Sequence, residues 1–265
     1  MSKIFFTSDS HFYHKNILKF ENRPFDTVEE MNEELIQAWN SVVSNNDVIY
    51  HLGDMVFGGI SNWKEILPRL NGKLRLIRGN HDDSKVVKKL NQEGYFDECY
   101  DVGCYIKHHK QCMWLSHYPM EIGVRPRKWS VSGHIHSQSN TYINQINVGV
   151  DSPLNFDKPF GQPILLEELL EYMDYYSEKI EEEFQRNRNN SQTDEKFSHL
   201  SPEEASKREK IYLRAKVKAD SEIGADIAYF GLAGDLELYK QIRLLGYEPE
   251  DILEHVNFPT MKGEC

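Results

Sequence analysis

The chain has 265 residues, 39% hydrophobic and 28% charged, with a net charge of −11. That balance excludes a wholly disordered chain, and no run of about 18 apolar residues marks a membrane-spanning helix. Overall acidity argues against a nonspecific nucleic-acid binder, but leaves open a small phosphorylated ligand held locally.

The opening MSKIFFTSD lacks the pattern of a signal peptide. Cys99, Cys104, Cys112 and Cys265 form no CxxC pair, so we expect four reduced thiols in a cytoplasmic protein. In chain order, Lys3–Ser8 predicts a strand. Thr27 and Glu30 have capping-box spacing, and Met31, Leu35, Ala38, Trp39 and Val42 recur at helical spacing, so a helix is predicted over 28–43. Asp47–Leu52 predicts a second strand, 61–70 a helix, Lys73–Ile77 a third strand and 84–92 another helix. Tyr100–Lys107 and Gln111–Ser116 predict a hairpin around His108-His109-Lys110. Strands are expected at 129–132, 142–150 and 162–166, then a helix from about Glu167. Strands alternating with helices, followed by a run of strands, predict two packed sheets flanked by helices.

Residues 171–265 differ. There 21 Asp and Glu face 13 Lys and Arg, which places −8 of the −11 in this part. A polar stretch at 186–198 predicts a linker. Helical patterns follow at 202–219, 222–232, 236–245 and 249–256. We therefore expect a domain over 1–170 and an acidic helical extension over 171–265, the latter available for self-association or a protein partner.

Five segments sit where predicted strands end: Asp9-Ser10-His11, Gly53-Asp54, Gly79-Asn80-His81-Asp82, His117, and Gly133-His134-Ile135-His136. Loops beyond strand ends can converge while the sheet holds them. Carboxylate, imidazole and amide oxygen are ligands of divalent metals, and the absence of thiolate disfavours a structural zinc site. The set is too large for one ion and suits two that share a carboxylate.

The order DxH, GD, GNHD, H, GHxH resembles the calcineurin-like metallophosphoesterase superfamily. The stretch Ser8–Ile17 resembles the opening of its small bacterial and phage-type members. The resemblance covers about residues 1–170, and every motif position is filled. It implies an α/β fold, a four-layer α/β/β/α sandwich with metals at one sheet edge. It further implies one ion on Asp9, His11, Asp54 and His136, and a second on Asp54, Asn80, His117 and His134. Manganese is the first expectation; iron, zinc and nickel suit the same donors. His81, by resemblance, contacts phosphate and protonates or stabilises the leaving oxygen, and Asp82 orients it. The implied activity is hydrolysis of a phosphodiester or phosphomonoester, nucleotide-like esters among them, by a metal-activated hydroxide. A nuclease and a non-catalytic protein-binding scaffold share this fold and compete with that reading.

Other residues carry weaker signals. His14 either faces substrate or helps start a helix. Arg125, Arg127 and Lys128 lie between two site-forming strands, so they either rim the site and bind phosphate or are a solvated basic loop. Arg23-Pro24 and Phe57-Gly58-Gly59 are further pocket candidates. His51 fits packing near the site, His108 and His109 fit a solvated turn, and Trp39, Trp63 and Tyr95 fit the core.

Overall fold

The computed structural model describes residues 2–190, and the compact unit they build ends at Arg186. In chain order the first elements are β1 (Ile4–Thr7), α1 (Ile17–Phe20), α2 (Val28–Val42), β2 (Val48–His51), α3 (Ile60–Ile66), β3 (Lys73–Ile77) and α4 (Ser84–Gln92). There follow β4 (Glu98–Tyr100), β5 (Gly103–His108), β6 (Gln111–Ser116), β7 (Lys128–Ser132), β8 (Gln145–Asn147), β9 (Ile164–Leu165) and α5 (Leu166–Asn190). The helices predicted beyond Pro202 lie outside the described residues, as does most of the predicted linker; α5 runs through its first five positions.

The fold is α/β, with two sheets. The first has the order β4-β3-β2-β1-β9 and the second β5-β6-β7-β8. Strands β1 to β4 are parallel neighbours, and β9 closes the edge antiparallel to β1. In the second sheet β5 and β6 form the predicted hairpin, while β6, β7 and β8 are parallel.

Alternation along the first sheet divides its side chains between two cores. Phe5, Ile49, Leu74 and Leu76 pack with Met31, Leu35 and Trp39 of α2, Trp63 and Ile66 of α3, and Val87 and Leu90 of α4. Phe6, Tyr50, Leu52 and Ile77 join Met113, Leu115, Trp129, Val131 and Ile146 of the second sheet, with Leu169, Met173 and Ile180 of α5. Each fully buried Leu, Ile or Phe contributes roughly 1.5–3 kcal/mol. The compact unit therefore continues past residue 170 along α5.

Local chemistry explains the ends. Thr27 Oγ1 accepts from the Glu30 amide, and Glu30 reaches back to the Asp26 amide, one residue earlier than in a standard capping box. Helix α3 stops at Ile66 because Pro68 lacks the N–H that another α-turn needs; a 3-10 turn, Leu67–Arg69, takes over. The strand expected over 142–150 is only three residues long. Gln145 Oε1 accepts from the Thr141 and Tyr142 amides and Asn147 Oδ1 from the Gly149 amide, so side chains compete with the ladder at both ends. The strand expected over 100–107 splits, with β4 in the first sheet and β5 in the second.

Candidate metal centre

Parallel order sets the site. The C-terminal ends of β1, β2 and β3 lie side by side and deliver Asp9–His11, Asp54 and Asn80–His81. Parallel β6 and β7 deliver His117 and the His134–His136 loop. The two sheets join here: Ser8 bridges Gly149, and the Val150 amide donates to Ser8 O at 3.1 Å.

Five of the seven expected ligands, Asp9, His11, Asp54, His134 and His136, have φ between 48° and 70°. Asp and His tolerate this left-handed region better than most residues, yet each such residue costs of order 1–3 kcal/mol. Strain gathered at one spot marks a functional site. Gly53, at φ 102°, allows a close approach: a Cβ there would lie 2.6 Å from His117 Nδ1 and 2.7 Å from Gly79 Cα. A Cβ on Gly133 would collide with Ser8 Oγ and Asp9 Oδ2.

Donor atoms of Asp9, His11 and His136 lie within 4.8 Å of one another, and so do those of Asp54, His117 and His134. Asp54 links the groups, with Oδ2 3.8 Å from His11 Nε2 and 3.3 Å from His117 Nε2. Asn80 Oδ1 lies 2.9 Å from His117 Nε2. All seven expected ligands therefore meet.

Hydrogen bonds aim them. His117 Nδ1 donates to Leu52 O at 2.8 Å, turning Nε2 toward Asp54. His136 Nδ1 lies 2.9 Å from Asp151 Oδ2, leaving its other nitrogen for a ligand role. The His134 amide donates to Asp9 Oδ2 and the His81 amide to Asp54 Oδ1. Asp82 accepts from the amides of Gly79, Asp54 and Met55, so it staples two site loops together. Among the described residues it makes no bond to the His81 ring.

The electrostatics are those of groups waiting for a cation. Burial pushes the Asp9 carboxyl up, against the pull of His117 and His136, and its Oδ1 is buried with no partner. Burial drives His11 down to about 2, so its imidazole is neutral, and its Nε2 is also buried and unpartnered. Burial would raise Asp54, but the His117 hydrogen bond and charge and the His81 amide hold it at about 2, ionised. Burial lifts Asp82 to about 6, with its three amides pulling down and the Asp54 charge pushing up. A neutral His11 imidazole, an ionised Asp54 carboxylate and the orphaned donor atoms of Asp9 and His11 fit divalent cations.

The comparisons agree with this chemistry. A family model described as calcineurin-like phosphoesterase matches residues 2–226. The chain belongs to that family. The match runs past the motif region at 1–170 into the C-terminal third, farther than the motifs alone reach. An uncharacterized protein of Methanocaldococcus jannaschii is 37% identical over 145 residues, covering 50% of this chain and 81% of that protein. The gene 66 protein of Mycobacterium phage L5 is 40% identical over 85 residues, 31% of this chain and 41% of the phage protein. A crystal structure of a protein of unknown function from Aquifex aeolicus aligns with a TM-score of 0.51 at 28% identity, covering 64% of this chain and 99% of that one. Membership in the calcineurin-like phosphoesterases implies metal-dependent phosphoester hydrolysis.

The remaining candidates are placed as follows. His14 stands at the mouth, its ring 5.1 Å from His11 and 6.2 Å from His81. His51 is buried, 2.9 Å from Ser10 Oγ and stacked near Trp39. Arg125 and Arg127 are not brought to the histidines. Because β6 and β7 are parallel, the chain between them must return to the starting end of β7, opposite Gly133. Arg127 there lines a cavity of about 270 Å³ with Met173 and Ile180. Arg23, its side chain buried against Asp151, and Pro24 do line a pocket, a cavity of about 390 Å³ shared with Asp151 and Phe160. Asp151, which holds His136, escaped the sequence reading; the available signal was its position directly after the apolar run ending at Val150. Glu21, His136 and Asp151 also meet within 4.8 Å, but Arg23 already neutralises Asp151. Among the described residues, no helix is long and apolar enough to cross a membrane.

Proposed function

We propose that the chain hydrolyses a phosphoester with two divalent cations, one on Asp9, His11, Asp54 and His136, the other on Asp54, Asn80, His117 and His134. The observation that carries this reading is Asp54, an ionised carboxylate within 4 Å of a histidine from each group. When bound, the cations lower the pKa of a water toward neutrality and neutralise charge growing on the phosphoryl oxygens.

The chain's own residues do the rest. Asp54 Oδ1 anchors the His81 amide at 2.8 Å, so the group that protonates the leaving oxygen is registered to the bridging carboxylate. The His81 side chain is exposed, 5.5 Å from the His11 ring, and open to substrate. Asp82 keeps the two loops at fixed spacing. The same reading places the two sheets as inner layers of an α/β/β/α sandwich, the substrate as a small phosphorylated molecule, and the protein in the cytoplasm. Manganese is the expected metal.

The test is hydrolysis of mono- and bis-nitrophenyl phosphates by chelator-treated protein, with and without added manganese. Metal-dependent release of nitrophenolate supports the reading; no release on either ester at any metal concentration contradicts it.

A further inference from the structure

The rim beside His81 is aromatic. Phe57, 41% exposed, stacks on His14 with ring centroids 4.3 Å apart and planes 14° from parallel. Phe20, 70% exposed, meets His14 edge-on at 6.2 Å. The His14 and Phe57 rings each lie 6.2 Å from the His81 ring. These rings do not serve the core, which the same segments fill with Phe12, Ile17, Met55 and Val56.

The platform is held in place. Val56 bridges Phe12, the Phe57 amide donates to Phe12 O at 2.8 Å, and Asn62 Nδ2 donates to Phe57 O at 3.0 Å. A ligand therefore meets a Phe57 whose backbone is fixed and whose ring already stacks on His14, and loses little affinity in ordering it. Exposed rings beside the proposed pair of cations match a ligand that is anionic at one end and flat and apolar at the other.

We propose that Phe57, His14 and Phe20 form a subsite that stacks a flat aromatic ring, a nucleobase or an aryl group, on the phosphoester whose phosphorus lies beside His81. The proposal rests on the hydrolase reading and names the substrate class for it. Stacking on aromatic side chains tolerates any base, because each has a π-face.

The test is calorimetric binding to the manganese-loaded full chain of three phosphonates, whose C–P bonds resist hydrolysis. These are phenylphosphonate, an adenosine 5′-phosphonate and the ring-free propylphosphonate. Ring-bearing ligands should bind roughly 5- to 150-fold more tightly than propylphosphonate. Preference for adenosine alone points to a nucleobase; preference for both points to any aryl group. Phe57→Leu should erase most of the preference at unchanged metal content, and Phe57→Tyr should keep it. Equal affinities, no binding, or a preference intact in both Phe57→Leu and Phe20→Leu overturn the proposal. Hydrolysis of bis-nitrophenyl phosphate is measured in parallel. Absent turnover with an intact ring preference would sink the hydrolase reading and leave the subsite standing.

Discussion

Arg23 grips Asp151 at two points, Nε donating to Oδ1 at 2.9 Å and Nη2 to Oδ2 at 2.8 Å. The same guanidinium donates to Ser10 O and Asp9 O, so one buried cation ties the first ligand loop to the carboxylate that orients His136. Burial would raise Asp151, but His136 and Arg23 hold it below the usual carboxylate range. Asp151→Asn should lower affinity for metal at the Asp9–His11–His136 group about 10- to 100-fold. Metal titration followed by mass spectrometry of bound ions checks this; affinity equal to wild type would show that Asp151 does not orient His136.

His81→Ala should reduce turnover by about 10²- to 10⁴-fold, the usual scale of general-acid assistance. Metal content should stay near wild type, since no metal group needs the ring. Loss of bound metal together with activity would instead make His81 a ligand.

Metal uptake should release protons, and more of them as pH falls. Burial pushes His136 down, but the Asp151 hydrogen bond and the Asp9 charge outweigh it and leave its pKa raised. His117 is raised likewise, by Asp54 and Asp9 against burial. Both keep a proton to higher pH than a free histidine, and a ligating imidazole must give it up. Affinity should therefore fall as pH drops through these raised values. Titrations in buffers of different ionisation enthalpy read the proton count; release independent of pH between about 6 and 8 would contradict the assignment.

Asp47 makes a separate prediction about stability. Its carboxylate accepts from the Lys3 and Ser44 amides, tying the start of β1 to the start of β2. The Lys3 amide leads in lowering its pKa below 3.8, against burial and with help from Ser44. A lowered folded pKa means stability fully present above the unfolded value and lost as pH falls through the folded one. Asp47→Ala, which strands both amides, should cost about 1–3 kcal/mol near neutral pH. Its melting temperature should converge on that of wild type as pH drops below 3.8. A gap that stays constant down to the acid limit would place the effect outside this carboxylate.

The ligand set was legible because each member follows an apolar run that had to be a strand, and strand ends in parallel sheets share one side. Asp9, Asp54 and Asn80 could be aligned on that basis alone. Pairing across sheets was not legible: nothing in Tyr100–Lys107 says that Tyr100 joins β3 while Cys104 joins β6. Arg127 shows the same blind spot, since strand direction decides which end a connecting loop reaches. Asp151 reads as an ordinary acid in sequence, and only the guanidinium and His136 beside it reveal its work; Asp82 stands out with its motif, but the three amides it accepts from were hidden. The left-handed backbone at five ligands was equally hidden, because Asp and His advertise chemistry more loudly than conformation.

The most direct measurement is anomalous diffraction at the manganese edge from crystals of the manganese-loaded chain. Two peaks roughly 3.5–4 Å apart, one among Asp9, His11 and His136 and one among Asp54, Asn80, His117 and His134, with Asp54 touching both, are the expected result. A single peak, a peak displaced to Glu21 and Asp151, or no ordered manganese near Asp54 would contradict it.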